Sequence, residues 1–430
     1  MPEKVQTEIQ SAWDHGWFVE LQAIKAPRFI GTNYRDAKNE FFKNLGAEPI
    51  FEYSNILETD TNTAYELLDE LNNKIESERS VPGQVIKFYQ DKLSEVFSKL
   101  EIHRLSQEQV LKHRDRREQI EKLVESSYGK PSQEVFNHLL KKLKEKYIQL
   151  SFPVIKSQHY RDLGFLFEEV PSSTIEDLVL MKQTVDDDGP IYKNATEVKH
   201  RMQEALRLRG LDGWKVTISN RQFGGFRVLP MKKLIVVPST KILRARKGER
   251  QLSEARLLAI IEHEIGTHAV RAHNGYNSRL RLLGVGLAGY HRGEEGLATY
   301  REQEVVGADD YANINMYFAV SIAYGLDRGG VKRTFYETFK VLHNYFYVFY
   351  GLSGTYSKSK AFNTCHRIYR GATGTGTAYV VTKDIAYREG NIAIHALLKK
   401  KPAGSWLDVG KFDPANSEHV AGLQELELIK

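Results

Sequence analysis

The sequence has one cysteine in 430 residues, Cys365. That excludes an intramolecular disulfide, and with it a small secreted scaffold held together by bridges. A zinc cluster built on thiolates is excluded by the same count, so any transition metal has to be held by histidine and carboxylate. Long apolar runs are missing as well: no stretch approaches the roughly 18 residues of a membrane span. The opening MPEKVQTEIQSAWDHGW has neither the basic nor the apolar region of a secretory signal. The expectation is a soluble, cytoplasmic protein that does not engage a membrane. Excess charge of one sign is also scarce. With 61 Lys and Arg against 55 Asp and Glu, the formal charge is +6, too mild to argue for nucleic acid, which needs a concentrated basic face.

What is present is a globular composition, 41% hydrophobic with 32 glycines, in a chain long enough to bury a large core. Residues 1–150 read as a helical portion. Segments Thr63–Ile75, Gln84–Leu100, Gln107–Glu125 and Gln133–Lys146 carry apolar residues every third or fourth position, for example Leu67, Leu71 and Ile75. The basic stretches LKHRDRREQIEKL and LLKKLKEKY read as solvated helix faces with interleaved glutamate.

From Ser151 the pattern changes. Ser173 and Glu176 have the spacing of a capping box ahead of IEDLVLMKQ. VDDDGP at 185–190 reads as a turn, and Asn194 with Glu197 opens a helix that stops at Gly210. Three strand-like runs follow, WKVTISN (214–220), FRVLP (226–230) and KLIVVP (233–238), divided by Gly224-Gly225 and a turn at Pro230–Lys232. KLIVVP is the candidate edge of this small sheet. An apolar helix then runs from Ser253 to His273, with Ser253 as N-cap. Further helices are expected from Glu294, over 312–325 and over 331–350.

That apolar helix contains His263-Glu264-Ile265-Gly266-Thr267-His268, the form H-E-x-x-x-H. In the familiar H-E-x-x-H zinc motif the two histidines stand at i and i+4, about 40° apart around the axis. At i and i+5 they stand about 140° apart, which a regular helix cannot close on one ion. The motif therefore demands that one extra residue be absorbed, as a π-bulge does, and Gly266 is the residue best able to take the altered backbone. Catalytic zinc commonly keeps three protein ligands and an open position. His273, His291, Glu294 and Glu295 are the downstream candidates for the third.

HEIGTH followed by RAHNG, LAGY and EEGLATY resembles the bacterial QEGLA-motif family, related to the vertebrate microtubule-associated tyrosine carboxypeptidases. GLDGWKV, IVVPST, RIYRGATGTG and KDIAYREG extend the likeness over most of the chain, weakest over residues 1–40. The resemblance implies that Glu295, in the second position of Glu-Glu-Gly-Leu-Ala, is the third metal ligand, and that Glu294 occupies a variable position. It implies an α+β fold: a mainly helical, zincin-like metallopeptidase over 151–430, with the helical portion 1–150 packed on it as one unit. It implies one Zn²⁺ held by His263, His268 and Glu295, with Glu264 as general base in peptide hydrolysis. The partner is then a peptide or protein C-terminus, tyrosine-type in the vertebrate branch.

A carboxypeptidase needs a cation for the substrate's terminal carboxylate. Arg367 and Arg370 in RIYRG, followed by Lys383-Asp384, supply cations. Arg370, Lys383 and Tyr387 are the candidate substrate contacts. An endopeptidase or aminopeptidase on the same zinc, or a zinc-binding regulatory protein without turnover, are the other readings. GATGTG (371–376) lacks the Lys-Ser/Thr ending of a phosphate loop and reads as a plain loop. Phe335, Phe339, Leu342, Phe346 and Phe349 form one helical stripe of core residues. Tyr336, His343, Tyr347 and Tyr350 form a second face with the option of lining a pocket.

Overall fold

A computed structural model describes residues 13–14, 16–24, 30–54, 61–107, 114–180, 190–219, 225–246, 251–351, 353–371 and 379–430. The expected turn at 185–190 apart from Pro190, Gly224, the basic residues 111–113 and the loop at 371–376 apart from Gly371 lie outside the described residues.

The architecture is α+β and mainly helical. The first half holds α1 (Trp17–Ala23), β1 (Ile30–Gly31), α2 (Tyr34–Lys43), β2 (Tyr53–Ser54), α3 (Thr61–Ser77), α4 (Gly83–Gln107), α5 (Arg114–Tyr128), α6 (Gln133–Ile148), α7 (Phe152–Ile155) and α8 (Gln158–Leu163). The four long helices α3 to α6 correspond to the four amphipathic segments of the sequence, except that α4 runs on to Gln107, the expected start of the third, and α5 begins at Arg114. Their stripes are buried: Leu71, Ile75, Tyr89, Leu93 and Leu100 are each under 5% exposed. Next come α9 (Ala195–Leu208), β3 (Lys215–Ile218), β4 (Arg227–Leu229), β5 (Leu234–Val237) and α10 (Thr240–Arg244). The remainder is α11 (Glu254–Ile261), a π-helix (Glu262–Ala269), α12 (Val270–Asn277), α13 (Leu282–Val285), α14 (His291–Val306), α15 (Ile314–Tyr324), α16 (Phe335–Tyr350), α17 (Gly354–Ile368), α18 (Ile385–Lys400) and α19 (Ser417–Glu425).

Apolar burial ties the early helices to the late ones. One core joins Phe136, Leu139 and Leu143 of α6 to Phe318, Leu342, Phe346 and Phe362. A second joins Leu71, Val85 and Phe88 to Leu282, Leu283, Phe412 and Leu423. A third lies under the motif helix, where Val198, Met202 and Leu206 of α9 meet Ile235, Leu257, Ile261 and Ile265.

Two expectations are corrected. Ser173 and Glu176 do not open a helix. The described part of that stretch, up to Leu180, has no helical turn. The Glu134 carboxylate accepts from the Thr174 N–H and the Ser173 and Thr174 hydroxyls, and Leu180 exchanges both backbone hydrogen bonds with Ala308. With those donors and acceptors spent, the segment stays extended. The same pattern does make a capping box at Thr334 and Glu337, at the start of α16. The second correction concerns the sheet, whose order is β3-β5-β4. β5 is central, parallel to β3 and antiparallel to β4. The edge beside the π-helix is therefore β4, not KLIVVP. Ile235, Val236 and Val237 are all buried, as a strand covered on both faces and both edges must be.

The most intimate helix pairing is α14 on α18. Gly296 of EEGLA and Gly390 of YREG face each other there. A Cβ on Gly390 would run into the Arg292 carbonyl and the Gly296 Cα, and a Cβ on Gly296 into the Gly390 backbone. Gly390→Ala is expected to cost about 1–3 kcal/mol by overpacking. Urea unfolding checks this, and an unchanged midpoint would show that the two helices can separate freely.

Candidate metal and catalytic site

The i, i+5 spacing of the two histidines finds the backbone it demands. Glu262–Ala269 is a π-helix of 8 residues between two α-helical segments. The five-residue repeat of its hydrogen bonds brings positions i and i+5 to neighbouring directions. The rings of His263 and His268 lie 5.0 Å apart. Gly266 lies inside this π-helix with its φ outside the left-handed region, and a Cβ there would meet the far end of the Glu262 side chain, whose carboxylate pairs with Arg209.

α14 lies across this turn and presents three glutamates to the two imidazoles. Glu295 Oε2 sits 3.8 Å from His263 Nε2 and 3.7 Å from His268 Nε2. On the far side of each ring, His263 Nδ1 is 3.2 Å from Glu302 Oε2 and His268 Nδ1 is 2.9 Å from Glu294 Oε1. Ligand atoms of His263, His268 and Glu295 all lie within 4.8 Å of one another. The 3.7 and 3.8 Å separations are too long for hydrogen bonds. Glu295 Oε2 is buried without a hydrogen-bond partner. Two ligands each about 2.0–2.2 Å from one tetrahedral ion stand a little over 3 Å apart. This geometry fits an ion between the three side chains after a small contraction.

The other third-ligand candidates are arranged differently. His273 bonds to Asn277. Glu294 is fully engaged with His268, Arg271 and Lys411. His291 Nε2 stands 3.8 Å from the other Glu295 oxygen, Oε1, and is not among the three side chains whose ligand atoms converge.

Residues 234–430 match the family model described as microtubule-associated tyrosine carboxypeptidase. The resemblance seen in the sequence thus holds over that span. No curated protein matches the chain. The matched residues run from β5 through the π-helix and α14 to the chain's last residue, and so contain every candidate site residue named from the sequence.

Electrostatics favour a cation at the centre. Burial opposes charge on His263, but Glu302, Glu264 and Glu295 outweigh it and raise its pKa to about 9. In the absence of a metal a proton takes that place, and a divalent ion competes with it. Burial likewise opposes charge on Glu295, yet His268, His291 and His263 hold its carboxyl below the usual range. Burial pushes Glu264 up. The two motif imidazoles oppose this, and Glu295 and Glu302 add to it. A carboxylate with a raised pKa beside a metal-binding centre is suited to take and return a proton.

Of the expected substrate contacts, Lys383 and Tyr387 come to the site. Burial raises the pKa of the Tyr387 phenol, and the nearby Glu295 carboxylate adds to this. Lys383 lies in the field of the same carboxylate, and burial lowers its pKa. Among the described residues, no carboxylate stands within ion-pair distance of Lys383. Arg367, by contrast, is forked onto Asp384 at 2.9 and 2.6 Å. Arg370 lies close to Tyr53, His366 and Tyr379, in the field of Lys383. The second aromatic face of α16 packs on helices rather than on this site: His159 of α8 sits against His343 and Tyr347, and Tyr350 bonds to Asn315.

Glu302 and Arg271 are the residues that sequence reasoning passed over. Glu302 did carry a signal. It stands seven residues after Glu295, two helical turns on and about 20° round, so both face the motif helix.

Proposed function

We propose that the chain is a zinc-dependent carboxypeptidase with a zincin-like catalytic unit. His263, His268 and Glu295 would hold one Zn²⁺, and Glu264 is the general base. The observation that carries the reading is the convergence of two Nε2 atoms on an unpartnered, buried Glu295 oxygen, next to a carboxylate of raised pKa, inside the segment that matches the family. Bound zinc would supply polarisation of the scissile carbonyl and acidify the attacking water.

The protein's own groups do the rest. Glu264 takes the proton of the attacking water and delivers it to the departing amine as the C–N bond breaks. The Lys383 ammonium pairs with the substrate's terminal carboxylate, and the Tyr387 hydroxyl donates a hydrogen bond at the reacting end. β4 offers its free edge to the substrate backbone as an added strand. The family's description supports an aromatic, tyrosine-type terminal residue.

Peptides ending in a free or an amidated carboxyl test this directly. One terminal residue is expected to be released from the free acids, with the amides resistant and about one zinc per chain by metal analysis. Lys383→Met is expected to lower kcat/KM on the free acids about 10- to 100-fold, the worth of a charge-assisted contact. Equal cleavage of amidated peptides would make the enzyme an endopeptidase, and zinc-free active protein would sink the metal reading.

A further inference from the structure

We propose that Glu302 is a positioning residue for the metal site: it holds His263 in the tautomer that leaves Nε2 bare and aimed at Glu295. The inference rests on reading His263, His268 and Glu295 as zinc ligands, and reaches a residue outside that set.

The argument starts from one helix face. Glu295 and Glu302 both lie on α14, two turns apart, and the His263 imidazole spans the gap between them. Its Nε2 is 3.8 Å from Glu295 and its Nδ1 is 3.2 Å from Glu302. An ionised carboxylate can only accept, so the Nδ1 facing Glu302 must carry the hydrogen. In the neutral ring, the form that binds a metal, the lone pair then falls on Nε2, the nitrogen that faces Glu295. Such a contact fixes both ring tautomer and ring rotation.

His268 has the equivalent partner in Glu294, but that carboxylate is compensated by Arg271 and Lys411. Glu302 differs. Among the described residues no lysine or arginine lies within ion-pair distance of it, and its side chain is 29% exposed. The group within ion-pair distance of it is His263, with Arg256 and Glu264 acting on it from further off. A structural salt bridge would be satisfied by an imidazolium, whereas a positioning role needs a neutral ring bound to a metal.

Zinc affinity separates the two. Competition with a chelating dye gives the zinc dissociation constant, and thermal unfolding of metal-free protein gives the structural contribution. Glu302→Ala is expected to weaken zinc about 10- to 100-fold while the metal-free unfolding midpoint falls only slightly, through loss of the partly exposed Glu302–His263 pair. Glu302→Asp keeps the charge but withdraws the acceptor, so it is expected to weaken zinc as well. Glu302→Gln, whose amide oxygen still accepts from Nδ1–H, is expected to retain most of the affinity. Wild-type zinc affinity in Glu302→Ala and Glu302→Asp, or a loss confined to metal-free stability, would overturn the proposal. Failure of the wild-type protein to bind zinc would instead overturn the ligand reading beneath it.

Discussion

Glu264→Gln is expected to lose about 10²- to 10⁴-fold in turnover, the usual worth of a positioned general base, while zinc content and folding stay at wild-type levels. The substitution is nearly isosteric, so the packing of the π-helix is kept, and what disappears is the ability to take a proton. Glu264 does not belong to the triad that converges on the centre, but it feels all three of its members: His263, His268 and Glu295 each act on its carboxyl. It therefore has no ligand to lose, and its removal should separate chemistry from metal binding. Steady-state release of the terminal residue from free-acid peptides, paired with metal analysis of the same sample, is the measurement. Turnover within a few-fold of wild type would assign the base elsewhere. A parallel loss of zinc would mean that Glu264 acts through the ligands rather than on the water.

The site was more legible in the sequence than the fold around it. An i, i+5 pair of histidines cannot close on one point from a regular helix, so the string His263 to His268 carried its own demand for a wider turn, and a π-helix meets it. The same arithmetic, applied from Glu295 along the next helix, leads to Glu302, but no motif marks a second carboxylate whose task is to hold a ring. Gly266 shows a limit of reading a residue by type: it lies in the π-helix, where backbone freedom and plain absence of a side chain look alike in a sequence.

The capping-box pattern marks a second limit. It stands at both Ser173 and Thr334, and the difference between them is non-local. Glu134, distant in sequence from Ser173, takes the Thr174 N–H and the local hydroxyls at the first site, whereas at the second the distant Glu48 carboxylate accepts from the Phe335 and Tyr336 N–H groups and leaves the reciprocal Thr334–Glu337 bonds intact. The sheet order did leave a trace. Ile235-Val236-Val237 is an unbroken apolar run, as a central strand requires, whereas β4 begins with Arg227. The partnership of β3 with β5 across the β4–β5 hairpin has no such local signature, because parallel pairing is set by packing on α9 and α11.

Arg271 carries the largest expected effect on stability. Its guanidinium is fully buried, pairs with Glu294, and donates to the Phe412 carbonyl at 2.8 Å. Burial pushes the Glu294 carboxyl up, but Arg271 and Lys411 outweigh it and hold it well below the usual range. Arg271→Met would leave Glu294 in the core with only Lys411, 3.5 Å away, and the His268 ring for company. Stripping one partner from a buried pair costs about 3–5 kcal/mol, because the other charge stays behind uncompensated. Replacing both, as Arg271→Met with Glu294→Met, removes that orphan, and buried pairs exchanged for apolar side chains of similar volume are often close to neutral. The double variant should therefore regain much of the stability that the single one loses. It should not regain zinc affinity, since His268 Nδ1 no longer has an acceptor and the ring is free to turn. Urea unfolding of metal-free protein and chelator competition on wild type, Arg271→Met, Glu294→Met and the double variant complete the cycle. Recovery of both quantities in the double variant would reduce Glu294 to a packing residue. Recovery of stability alone would make the carboxylate behind His268 a part of the metal site that the protein maintains at a cost met by Arg271.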